Sequence, residues 1–388
     1  MSDRNDWSST LAFTPSEKSG YNYFSVGAAV VVNEMMDLPH WINYLRLRAS
    51  YAVVGNDIAS FSSYPLYTFT NGNAQPPGSA PIVVIPGMVL KPEKNRSLEI
   101  GVQWKSFNNR LQLDASWYKS NIVNQYFKGV ALPPGLGSGG YADINSGNIR
   151  NMGIEGSLRY KVIESGSFEW TTILNASHNT NKVIELFDPA VIPSSTPNQL
   201  YRLQGGTGGY DGILKQGGSY GDFYGSGFRR DAAGHIIMSS QGLPFVEDDL
   251  FLGNPNPKLI LGWQNSFSFR NCTISWLIDG KFGGRVLSIT ESYMAQMGIS
   301  RKTGEARDNG GMVYLENAVD ESGHLWKGGI EAERYYKYIG GKTPLAEAFM
   351  YSATAIRLRE VAFAWRLPLR NKRWVIYAWV SLPITCFS

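Results

Sequence analysis

Leu98-Glu99-Ile100-Gly101-Val102-Gln103-Trp104-Lys105 alternates apolar and polar residues, and so does Leu111-Gln112-Leu113-Asp114-Ala115-Ser116-Trp117-Tyr118. Ser106-Phe107-Asn108-Asn109-Arg110 lies between them. A period of two sends successive side chains to opposite faces of a strand. Asn108-Asn109 carries the residue types that tolerate a left-handed turn. The stretch therefore reads as two antiparallel strands and a tight hairpin. One face carries Leu, Ile, Val and Trp, and the other carries Glu, Gln, Asp, Ser and Lys.

The same pattern recurs along the chain. It appears at Leu45 to Val53, Ile154 to Tyr160 and Phe168 to Ala176, with Ser165-Gly166-Ser167 as the turn before the last. It appears again at Leu259 to Phe269 and, past Arg270-Asn271, at Thr273 to Asp279. In Ala355 to Leu367 the phase switches: Ile356 and Leu358 share one parity, while Val361, Phe363 and Trp365 share the other. A switch at Arg359-Glu360 predicts a β-bulge. Tyr201 to Phe251 is Gly-rich with weak alternation and reads as short strands and turns, not a second domain.

One wet face and one apolar face suit either a sandwich or a transmembrane barrel with a wet lumen. The strands are long enough to cross a bilayer at a tilt. The short turns fall on one side. Asp57 to Leu90, Gly129 to Gly147 and Arg285 to Met350 fall on the other as long connections rich in Gly, Pro and Tyr. Trp104, Phe107, Trp117, Tyr118, Trp170, Trp263, Trp276 and Trp365 are expected to form an interfacial aromatic girdle. This asymmetry favours the barrel. A soluble all-β carbohydrate-binding or adhesion module is the alternative.

Composition agrees. Of 388 residues, 18% are charged, against roughly 25% in soluble chains, while 11 Trp, 21 Tyr and 42 Gly argue against disorder and coiled coil. A net charge of +4 is too small for a nucleic-acid footprint. No apolar run is long enough for a transmembrane helix.

No catalytic constellation stands out, so the expectation is a non-enzyme without cofactor or metal. His40, His178, His235 and His324 are scattered, and Cys272 and Cys386 are too few for a disulfide framework or a zinc site. Cys272 reads as a small strand filler. Glu247-Asp248-Asp249 lacks the oxygen spacing of a calcium loop and reads as a solvated turn. Gly135 to Gly140 lacks the strand-and-helix context of a phosphate cradle. Tyr-rich segments are the better binding candidates: Tyr64, Tyr67 and Phe69 in one, and Tyr210, Tyr220 and Tyr224 (with Phe223) in another. Exposed rings can cover the CH faces of sugars. The same rings also serve packing or a membrane interface, and the sequence leaves both readings open.

Leu90-Lys91-Pro92-Glu93-Lys94-Asn95-Arg96-Ser97-Leu98-Glu99-Ile100-Gly101 resembles a segment of the SusC/RagA-type TonB-dependent outer-membrane transporters. Further segments resemble that family in the same order. These are Arg4 to Ser9, Leu45 to Gly55, Gly147 to Glu155, Gly253-Asn254-Pro255-Asn256-Pro257, Asp279 to Gly284, Arg307 to Gly311 and Ile356 to Val361. The resemblance implies an antiparallel barrel of about 22 strands with a plugged lumen. It implies import of glycans or peptides across the outer membrane of Bacteroidota-like bacteria, in partnership with a SusD-like surface lipoprotein, TonB and outer-membrane lipid. A siderophore receptor shares the barrel but not these motifs.

The family's signal peptide, TonB-contacting segment and plug find no counterpart in this sequence. A cytoplasmic location, the literal reading of Met1 to Asp6, gives way to an outer-membrane one. Residues 1–388 are then expected to be one partial barrel of roughly ten to twelve strands, not competent for transport alone. Residues 379–388 depart from the family's final strand. Codon degeneracy permits Val-Gly-Val-Ser-Ala-Asn-Asn-Leu-Phe-Phe one base earlier, so a frameshifted tail is expected there.

Overall fold

The computed structural model describes residues 1–8, 20–57, 68–70, 73–75, 91–131, 141–187, 189, 192, 200–203, 209–366 and 377–382. Eleven antiparallel strands form its main sheet. Numbered along the chain, they begin with β1 (Ser2–Asp6), β2 (Tyr21–Val31), β3 (Ile42–Asn56), β4 (Glu93–Ser106), β5 (Leu111–Ala131), β6 (Tyr141–Ser165) and β7 (Phe168–Glu185). The connection that follows holds β8 (Tyr201–Arg202), β9 (Asp211–Leu214), β10 (Phe223–Phe228) and β11 (Val246–Gly253), which form a separate four-stranded sheet. The main sheet resumes with β12 (Leu259–Phe269), β13 (Cys272–Phe282), β14 (Ala355–Arg366) and β15 (Tyr377–Leu382).

Register turns the sequence alternation into two continuous faces. Arg46, Gln103, Asp114, Ser157, Asn175, Gly262, Asp279 and Arg357 are successive partners from β3 to β14. One residue along, Val30, Leu47, Val102, Ala115, Gly156, Ala176, Leu261, Gly280 and Ile356 form an apolar row. On the apolar face Leu47, Ile100, Ile154, Leu174, Ile274 and Phe363 are exposed. In water this would be a large unpartnered hydrophobic surface; in a bilayer it is the lipid-facing band.

The turns behave as read, with adjustments. Phe107, Asn108 and Asn109 all adopt positive φ in the β4–β5 hairpin, and Arg270 does so in the β12–β13 turn. Arg359 is the extra residue of a bulge, because Leu277 faces Glu360 while Ile278 faces Leu358. Trp41 stacks on Phe107 and meets Trp104 edge-on, while Trp170 stacks on Phe267. These pairs build an aromatic rim beside the short turns. Tyr118 is not part of it: it shares the polar face and donates to Asn179 Oδ1 at 3.1 Å. Trp117 lies between Ile100 and Ile154, within the apolar band rather than at its edge.

Two connections are more ordered than their composition indicates. β5 and β6 continue through much of the expected 129–147 loop, with Gln125, Tyr126 and Phe127 facing Ser146, Asn145 and Ile144. The extension holds because Phe127, Val130 and Ile144 pack with Val183, Leu186 and Leu214 in a buried cluster. Between β13 and β14 the chain forms α1 (Ile289–Gln296), α2 (Arg301–Asp308) and α3 (Ala332–Ile339). Ser288 and Ser300 accept from Glu291 N and Thr303 N and so cap α1 and α2. Phe228, Met238, Ala295, Tyr335, Ile339 and Phe349 bind the β7–β12 and β13–β14 connections into a second core.

Candidate functional site

The polar face of the sheet and the cap of folded loops each contain a cleft. On the sheet, Asp114, Glu155, Asn175, Asp279, Lys281 and Arg359 line about 760 Å³. Arg48 Nη2 donates to Asp114 Oδ1 at 2.9 Å, and Gln103 Nε2 donates to Asp114 Oδ2 at 2.7 Å. The arginine lies across Gly101, where a Cβ would come within 2.5 Å of its Nε. Arg359, projected by its bulge, stands 3.8 Å from Asp279. Further up the wall, Asn121 donates to Asn148 and Asn181 to Asn151. This surface offers many dispersed donors and acceptors.

The loop cleft measures about 630 Å³ and is lined by residues of both long connections. Tyr210 and Asp211 come from the start of β9, and Tyr224 and Ser226 from β10. Asp248 and Asp249 come from β11, while Tyr338, Thr343 and Pro344 come from α3 and the segment after it. Pairing of β9 with β10 sets Asp211 opposite Tyr224. Arg202 donates to Asp211 Oδ2 at 2.7 Å and to Asp249 Oδ2 at 2.5 Å. The hydrogen bond to Asp249, reinforced by Asp211, holds the guanidinium above its ordinary pKa. Burial pushes the Tyr338 phenol up, and burial followed by Asp222 does the same for Tyr224.

Of the aromatic residues singled out by sequence, Tyr210 and Tyr224 meet at this cleft. Tyr220 is 45% exposed and lies outside its lining. Tyr64 and Tyr67 lie outside the described residues. Phe69 falls on a short strand, Thr68–Thr70, paired with Asn73–Gln75. Asp249 of the acidic trio belongs to an ion-paired cluster rather than a free turn. Arg202 and Tyr338 were not singled out: neither carries a local motif, and only the pairing of distant segments brings them together.

A family model for the TonB dependent receptor-like β-barrel matches residues 2–276. The chain belongs to this family. As a TonB-dependent receptor barrel, it is an outer-membrane protein, and its apolar outer face and polar inner wall take their expected places. TonB-dependent receptor P3 of Formosa agariphila is 24% identical over 387 residues, covering 91% of this chain and 36% of the relative. TonB-dependent receptor P39 of the same organism is 32% identical over 188 residues, covering 48% of this chain and 16% of that relative. The chain thus spans about a third of the length of P3. A chain of the RagAB peptide importer in its closed-closed state superposes with a TM-score of 0.66 at 16% identity, over 99% of this chain and 42% of that one. The partial antiparallel barrel expected from the SusC/RagA resemblance is the fold observed, with eleven strands in the main sheet among the described residues.

Proposed function

We propose that this chain supplies part of the wall and outer loops of a TonB-dependent importer for oligosaccharides or peptides. In this reading it is the SusC-like member of a SusCD-type pair, with a SusD-like surface lipoprotein over the loops and TonB acting through a part of the transporter outside these residues. The role is transport, not catalysis. A single observation carries the reading: an eleven-stranded sheet, with a largely polar row from β3 to β14 on one face and an apolar row on the other, ends in folded loops that hold an aromatic and ionic cleft. Its physical sense is a wet path through lipid with a recognition surface at one mouth. Among the described residues, the edge strands β1 and β15 each have one partner in the sheet. A membrane does not tolerate open edges, so closure needs further strands and the chain does not transport alone.

Deletion of the gene in its native host tests this. The expected result is loss of uptake of fluorescently labelled maltoheptaose, of a labelled peptide mixture, or of both, with recovery on complementation. Unchanged uptake of both sinks the reading.

A further inference from the structure

The loop cleft has a charge and shape of its own. In an unbroken strand Asp248 and Asp249 would project to opposite faces. They do not, because β11 is bulged: it steps from Leu250 to Glu247 while its partner β10 steps from Gly225 to Gly227, and Asp249 takes φ +58°. The bulge brings both carboxylates to the cleft lining, where they join Asp211. Against three carboxylates, the described lining residues include one cation, Arg202, already engaged by Asp211 and Asp249, and Lys215 beside the lining is engaged by the Tyr224 ring. Asp248 has no ion-pair partner among the described residues.

Aromatic rings complete the site. Tyr338 ties its hydroxyl to Pro244 O at 3.1 Å and leaves its ring half-exposed. Tyr210 packs on Phe223 with centroids 4.4 Å apart. The rings here already hold a cation, since Lys215 Nζ lies 4.4 Å from the Tyr224 ring centre. Tyr210 and Tyr338 carry no such cation among the described residues. An uncommitted carboxylate beside tyrosine rings, in a cleft with excess negative charge, attracts a cation and repels an acid.

We propose that this cleft receives the cationic group of a peptide, a lysine or arginine side chain or a free amino terminus, with Asp248 as its counter-ion and Tyr210 and Tyr338 flanking it. The inference rests on the importer reading and narrows its substrate class to basic peptides at this position.

Calorimetric titration of the full-length receptor tests it, with Lys-Ala-Lys-Ala-Lys and Glu-Ala-Glu-Ala-Glu as probes. The basic peptide is expected to bind about tenfold or more tightly than the acidic one, with the gap narrowing as salt rises. Asp248→Asn should remove the gap, Asp248→Glu should retain most of it, and Glu247→Gln, outside the cleft lining, should leave it intact. Equal binding of the two peptides, or a gap that survives Asp248→Asn, overturns the proposal. Gene-dependent uptake without charge preference would leave the importer reading standing while the cleft assignment falls. Absence of any gene-dependent uptake would remove both.

Discussion

Arg48 on β3 reaches across β4 to Asp114 on β5, with Nη2 and Oδ1 2.9 Å apart. The bond bypasses the strand between them because Gly101 there has no side chain to block the guanidinium. It stitches three strands on the polar wall, and Gln103 closes the second oxygen of the same carboxylate. Asp114 is 43% exposed, so solvent screens the pair. Arg48→Ala and Asp114→Ala should each lower stability by no more than about 1 kcal/mol, with a coupling near 0.5 kcal/mol in the double variant. Urea unfolding in lipid vesicles measures this. Strictly additive losses would show that the contact contributes nothing.

The outer face should be far less forgiving. Ile100 is 50% exposed and sits between Ala49 and Trp117 in the apolar band. Ile100→Arg places a charge against lipid and should cost about 2–4 kcal/mol if the site is near the bilayer midplane, while an arginine on the lumen face costs little. Ser116→Arg, on the polar face of the neighbouring strand, is the control. Similar losses for the two variants would contradict the assignment of the faces.

Glycines separate backbone crowding from side-chain crowding. At Gly153 a Cβ would lie 2.5 Å from the carbonyl oxygen of His178 and 2.5 Å from the Tyr118 hydroxyl. At Gly101 the obstruction is only the end of the flexible Arg48 side chain. Gly153→Ala is expected to cost about 1–3 kcal/mol, because β7 itself must move. Gly101→Ala should cost less, since a side chain can swing aside. The same vesicle unfolding assay ranks them, and the reverse order would mean that the β6–β7 contact relaxes more easily than the arginine.

The sheet was legible in the sequence because a period of two is local information: each strand announces its own faces, and the bulge at Arg359 shows as a change of parity. The loop cleft was not. Tyr210 and Tyr224 attract notice as aromatics, but Tyr338 joins them only through a core that packs α3 against Phe228 and Met238. The strand break that redirects Asp249 leaves no compositional trace in Glu247-Asp248-Asp249. The helices of the β13–β14 connection did leave one, since Ser288-Ile289-Thr290-Glu291 has the spacing of a capping box. The abundance of Gly and Tyr around it hid that signal.

That cap is open to test. Ser288 Oγ accepts from Glu291 N at 3.2 Å at the start of α1. Ser288→Ala removes the acceptor and should destabilise the loop core by about 1 kcal/mol, with Ser288→Asp retaining most of the stability. Because α1 lies in the β13–β14 connection, the loss should appear as faster amide exchange in α1 while β13 and β14 keep their protection. Uniform exchange changes throughout the barrel would argue that the loops and the wall unfold as one unit.

Alkaline pH gives the loop core a distinct signature. Tyr335 on α3 is buried, and burial, followed by Tyr336 and Glu347, raises its pKa from 10.0 to about 12. A raised phenol pKa means that the folded core holds the proton more tightly than the unfolded chain does. Its contribution is therefore complete below pH 10 and is lost as pH rises through about 12. Amide exchange across α3, corrected for its intrinsic pH dependence, should stay protected below pH 10 and lose protection above it. Tyrosinate absorbance should include a late step from Tyr335 in the same interval, beyond the raised phenols of Tyr336 and Tyr338. Tyr335→Phe keeps the ring and removes the proton, so the variant should hold α3 protection to higher pH and lack the late absorbance step. If α3 opens over the same range in both proteins, ionisation of Tyr335 is not what limits the loop core in alkali.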